Sequence, residues 1–140
     1  MSCYNSAVIS APVDKVWDKL RDFHDMSWAG GVIESCEKGN DLPGTQIGAR
    51  RVLNNAFHET LLALDDHARI VRYSIDDGPE AVSKDNVSGY IGEVRVFPVT
   101  DGNRTFVLWT SSWEDSKGGV AEFCDPIYKA LLDALKKHFS

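Results

Sequence analysis

The chain has 140 residues, 43% of them hydrophobic and 26% charged, with a formal net charge of −6 and an isoelectric point near 5.1. A chain of this length makes one domain able to bury roughly two thirds of the surface its unfolded form exposes, and the composition excludes disordered and fibrous classes. The acidic balance argues against a nucleic-acid partner, which needs clustered Lys and Arg; the one basic cluster, Lys136, Lys137 and His138, suits a helix C-terminus instead.

Residues Tyr4 to Ser10 read as a first strand, and Ser10 as the N-cap of a helix that starts at Pro12. Val13, Val16, Trp17, Leu20 and Phe23 keep helical spacing. The stretch from His24 to Gly31 has no period and reads as a short helical turn plus loop, so two short helical segments are expected after the first strand. Six further strands follow: Val32 to Glu37, Ile47 to Leu53, Phe57 to Leu64, Arg69 to Ile75, Gly89 to Val96 and Thr105 to Trp113. Gly-, Asn- and Asp-rich turns separate them. Val120, Phe123, Ile127, Leu131, Leu135 and Phe139 then describe a long amphipathic helix, with Pro126 expected to kink it. The order predicts a single α+β domain over 1–140, a seven-stranded curved antiparallel sheet wrapped around the C-terminal helix, with room for a pocket between them.

Cys3, Cys36 and Cys124 are odd in number and lack CxxC or Cys/His spacing, so neither a disulfide framework nor a zinc site is expected. No grouping has metal-ligand spacing, and no Ser-His-Asp set or phosphate-cradling glycine loop occurs, which points to action without metal or cofactor. There is no signal-peptide pattern and no run of ~18 apolar residues, so a cytoplasmic location without membrane insertion is the expectation.

Period-two alternation puts Phe57, Glu59, Leu61 and Ala63 on one face of their strand and Ala49, Arg51 and Leu53 on one face of theirs. If those faces turn inward, an Arg and a Glu sit among apolar neighbours at a cost only pairing or a ligand offsets. Alternation alone modestly favours the other reading, a cross-strand pair on a solvated face. Tyr73 shares a face with Val71 and Ile75, and Tyr90 with Gly92, Val94 and Val96. Either is a core aromatic with a satisfied hydroxyl or a ligand-binding one. Trp109 and Trp113 line one face of the last strand, opposed by Phe123, Ile127, Tyr128 and Leu131 of the helix. Trp28 is a loop anchor or a lid, and His58 and His67 read as solvated.

A series of short pieces at fitting intervals then carries a resemblance. It runs from Ala11-Pro12-Val13-Asp14-Lys15-Val16-Trp17 through Asp22-Phe23, Trp28, Gly48, Arg51, Glu59-Thr60-Leu61, Asp65, Arg69, Tyr73, Gly78-Pro79, Tyr90 and Pro98 to Trp109. Over nearly its whole length the chain resembles the polyketide cyclase/dehydrase branch of the START-like (Bet v 1-like) superfamily, which implies the helix-grip fold. Within that branch it looks most like the group of lachrymatory-factor synthases, with abscisic acid receptors and MxaD-type bacterial proteins more distant. The synthases' catalytic Arg, Glu, Tyr and Tyr match Arg51, Glu59, Tyr73 and Tyr90. One departure is that Trp28 is followed by Ala29-Gly30 rather than a larger residue and Pro, which implies a looser loop.

The resemblance places Arg51 and Glu59 in the cavity and implies a small hydrophobic or amphipathic ligand against Trp28, Phe57, Leu61, Trp109, Trp113, Phe123, Ile127 and Leu131, in a monomer or homodimer. Two functions fit. In one, a cofactor-free cyclisation, dehydration or isomerisation has Glu59 moving a proton, Arg51 steadying negative charge, and Tyr73 and Tyr90 orienting the substrate. In the other, the same cavity serves a non-catalytic carrier or sensor. A protein-interaction role of the Hsp90-activator or coenzyme-Q-carrier kind would need a large exposed apolar patch, for which the sequence offers no clear candidate.

Overall fold

A computed structural model describes all residues from Met1 to Ser140. Seven strands form one antiparallel sheet: β1 (Ser2–Ile9), β2 (Cys36–Lys38), β3 (Arg50–Leu53), β4 (Phe57–Asp65), β5 (Ile70–Asp77), β6 (Val87–Val99) and β7 (Arg104–Asp115). Their spatial order is β1-β7-β6-β5-β4-β3-β2, so hairpins link β2 through β7 in sequence and the first strand closes against the last. Helix α1 (Val13–Leu20) follows β1, a short 3-10 turn spans Glu80–Val82, and α2 (Val120–His138) ends the chain. This is the curved α+β helix-grip arrangement the element pattern implies.

Turn chemistry explains the hairpins. Asn54 and Asn55 both have φ of 54°, and the Ala56 amide donates to the Leu53 carbonyl at 3.0 Å, a tight turn within the three-residue link between β3 and β4. Asn54 also holds the segment before β2: its Oδ1 accepts from the amides of Glu34 and Ser35, and its Nδ2 donates to the Val32 carbonyl.

The core lies between the concave sheet face and α2. Val120, Cys124, Tyr128, Leu131, Leu132 and Leu135 form the buried stripe of the helix, at the spacing an amphipathic helix requires. Asn5 of β1 donates to Asp125 of α2 at 2.9 Å, and Asn86 pins the approach to α2 through the Gly118 carbonyl and the Lys117 amide. No helix is long and apolar enough to cross a membrane.

Several boundaries differ from the sequence expectation. Only one helix follows β1, since His24 to Gly31 forms a run of turns in place of a second helical segment. Ser10 does not cap α1: Pro12, extended at ψ 149°, occupies the N-cap, and its carbonyl accepts from Lys15 and Val16. The expected strand at Val32 begins only at Cys36, because the Val32 and Ile33 amides turn back to the Ala29 carbonyl. Two register shifts interrupt β4, between His58 and Glu59 and between Leu61 and Ala63. Past the second, Leu64 rather than Ala63 packs against the core. On the outer face the register aligns Val8, Phe106 and Phe97 across three strands, an apolar row that strand alternation alone did not single out.

Candidate functional site

Arg51 on β3 and Glu59 on β4 are direct cross-strand partners, and both point inward, 7% and 5% exposed. The solvated-face reading is therefore replaced by a buried pair. The Arg51 Nε donates to Glu59 Oε1 at 2.8 Å and Nη2 lies 2.7 Å from the same oxygen. Nη1 donates to the Phe23 carbonyl at 2.9 Å and approaches the Met26 sulfur at 3.5 Å. The guanidinium lies over the Phe23 ring at 3.8 Å, a cation–π contact that replaces part of its lost hydration. Every other ion pair in the protein has at least one partner well exposed.

Burial pushes the Glu59 carboxyl above its ordinary value, and the charge and hydrogen bonds of Arg51 pull it only partly back. No hydrogen bond from Arg51 ends on Glu59 Oε2. One carboxylate oxygen is thus held and the other is available.

The pair forms one end of an apolar cavity between β3, β4, β5, β7 and α2, about 40 Å³ of which is open to the centre of a water-sized sphere. That space holds a few waters. A larger guest must displace the half-buried Ile33, Phe57, Ile75 and Ile127, which mark the cavity's outer side. Of the residues singled out from sequence, Arg51, Glu59, Tyr73, Phe57, Trp109, Ile127 and Leu131 line this wall together.

The others lie behind it. Leu61 is fully buried and pairs across the sheet with Tyr73. Trp28 is an anchor: 4% exposed, it packs on Trp109 with ring centres 6.3 Å apart. Its loop, expected to be loose, is tied by backbone hydrogen bonds from Ala29 to Met26 and from Val32 and Ile33 to Ala29, and Ala29 is fully buried. A small residue after Trp28 is what that packing admits. Phe123 stacks on Phe57 at 6.2 Å, and Trp113 stacks on Tyr90 at 5.6 Å.

Tyr90 reaches the cavity only through Tyr128, whose hydroxyl is hydrogen-bonded to it. The Tyr128 hydroxyl also shares a hydrogen bond with Tyr73 at 3.3 Å, and the Trp109 indole donates to Tyr73 at 3.0 Å. Burial holds all three phenols above their usual range. Tyr128, Met26, Ile33, Leu53, Ile75 and Cys124 complete the wall. Tyr128 was legible as an inward helix residue but not as the centre of a hydrogen-bonded trio, which only the approach of two strands and a helix creates. Burial pushes the Cys124 thiol up to about 11, so it is neutral at ordinary pH and no ready nucleophile. No group of three or more His, Cys, Asp or Glu side chains is placed to hold a metal ion.

The comparisons with known proteins agree on the fold. The solved structure of a protein from Nitrosospira multiformis is 41% identical, superposes with a TM-score of 0.97, and is matched over 100% of this chain and 97% of its own. A protein named XoxI from Bacillus cereus shares the fold at 21% identity, TM-score 0.80, covering 99% of this chain and 94% of its own. So does a Thermobifida fusca protein at 22% identity, TM-score 0.81, covering 99% and 92%. No curated protein matches the chain. The family model described as polyketide cyclase / dehydrase and lipid transport matches residues 2–140, and the chain belongs to that family.

Proposed function

We propose that the protein binds a small, largely apolar molecule in this cavity and moves a proton on it through Glu59, without a cofactor, in a cyclisation, dehydration or isomerisation. The observation that carries this is the buried Arg51–Glu59 pair opening onto an apolar chamber, since a fold keeps such a pair at a cost that hydrophobic residues of similar volume would avoid. A carboxyl raised by burial and lowered by a cation lies nearer neutrality than a solvated one, the condition for acid–base work. Arg51 spends its Nε and Nη1 donors, and one face of Nη2, on Glu59, Phe23 and Met26, so its main role is to set the charge of Glu59. Tyr73 orients the ligand from the wall, and Tyr90 steadies it from behind Tyr128.

A carrier using the same chamber is favoured by one specific observation: the wall is almost wholly hydrocarbon outside this pair and the tyrosines. Acetophenone in D₂O separates the two. Its methyl protons exchange when a base removes one and the solvent returns a deuteron. Catalysed exchange that Glu59→Gln abolishes while acetophenone still binds supports the enzyme. Binding with no acceleration over buffer supports the carrier, and no binding contradicts both.

A further inference from the structure

The polar groups of the cavity wall carry no net charge. Arg51 and Glu59 neutralise each other, and burial keeps the phenols of Tyr73 and Tyr128 and the thiol of Cys124 protonated at neutral pH. Beyond Arg51, Asp76 bears on Glu59, and Asp22 and Asp25 bear on neighbouring Cys36, Asp25 being itself paired with Lys19. An anionic guest would put a second carboxylate beside Glu59 with one guanidinium for both, in surroundings that screen poorly. A neutral oxygen meets no such penalty.

It also finds partners. A phenol hydroxyl offers one donor and two acceptor positions. Tyr73 uses two of its three on Trp109 and Tyr128, and Tyr128 uses two on Tyr73 and Tyr90. Each keeps one hydrogen-bonding position free, and the two hydroxyls are 3.3 Å apart, close enough to converge on one atom.

We propose that the cavity selects neutral ligands, a hydrocarbon body with a hydroxyl that donates to one of Tyr73 and Tyr128 and accepts from the other, and rejects carboxylates of the same skeleton. This rests on the reading of the chamber as a ligand site. An arginine in a pocket ordinarily marks carboxylate recognition; here Glu59 occupies that arginine. Tyr90 is a positioning residue that fixes the Tyr128 hydroxyl.

Toluene, benzyl alcohol and benzoate are near-isosteric probes, titrated at pH 7 and followed by NMR of the cavity residues. In the wild type, benzyl alcohol is expected to bind more tightly than toluene and at least about tenfold more tightly than benzoate. Tyr128→Phe should bring benzyl alcohol down to the affinity of toluene. Glu59→Gln frees the Arg51 charge and should raise benzoate at least about tenfold relative to benzyl alcohol. Benzoate binding the wild type as tightly as benzyl alcohol overturns the proposal, and that comparison stands whether or not Glu59→Gln folds. Benzyl alcohol no tighter than toluene overturns the tyrosine assignment. If none of the three, toluene included, shifts the cavity resonances, the ligand-site reading fails and this proposal with it.

Discussion

Replacing Arg51 with Met strands the Glu59 carboxylate, 5% exposed, in the wall of an apolar cavity. Removing one partner of a buried pair costs roughly 3–5 kcal/mol, and losing the contact with Phe23 adds about 0.5–2 kcal/mol. A domain of this kind has only about 5–15 kcal/mol in total. At about 3–4 °C per kcal/mol for this length, the melting temperature should fall by roughly 10–28 °C at pH 7. The cost must also depend on pH in a defined direction. A carboxyl whose folded-state pKa is raised destabilises the fold when it ionises, so the loss is full above that raised pKa and shrinks as pH falls toward the unfolded value near 4.5. The assay is urea unfolding of wild type and Arg51→Met at pH 7 and pH 5, with the Arg51→Met/Glu59→Gln double variant closing the cycle. The double variant should recover much of the loss. A cost below about 1 kcal/mol, equal at both pH values, would refute the reasoning, because it is what a solvated pair gives.

Other consequences follow from the same packing. A Cβ at Gly92 would overlap the Tyr73 ring, so Gly92→Ala should cost about 1–3 kcal/mol by urea unfolding and displace the Tyr73 and Tyr128 resonances. Tyr90→Phe removes the hydrogen bond to Tyr128 while sparing the stack on Trp113, and should cost only about 0.5–1.5 kcal/mol in the same assay. Stability should fall as pH rises above about 9. Cys124 rises from 9.0 to about 11 on folding and Tyr73, Tyr90 and Tyr128 also titrate higher folded than unfolded, so the unfolded chain releases protons first. Thermal melts from pH 8 to pH 10.5 check this, and a flat profile would contradict the burial of these four groups.

Much of this fold could be read from local pattern. The strand alternation, the Asn54-Asn55 turn and the stripe of α2 each impose structure on their own residues, and the structure keeps them. What was not legible depends on contacts far apart in the chain. The segment from His24 to Gly31 has no period because tertiary bonds on either side hold it, Asn54 at Val32 and Arg51 at Phe23. Met26 enters the cavity wall from that aperiodic stretch, and Ile33 enters it from residues expected to be strand. Arg51 and Glu59 could be paired from sequence, but alternation is blind to which face is buried, and it leaned toward the solvated one. The tyrosines show the same limit: Tyr90 resembled a site residue by position, yet Tyr128 is the one in the wall.

The central claim is that the chamber beside Arg51 and Glu59 admits an apolar molecule. Titration of methyl-labelled protein with acetophenone tests it most directly. Shifts are expected to concentrate in the methyl groups of Met26, Ile33, Ile75, Ile127 and Leu131, leaving Val16 and the outer-face Val8 unmoved. Shifts confined to Val8 and the outer sheet face, or none at millimolar acetophenone, would contradict it.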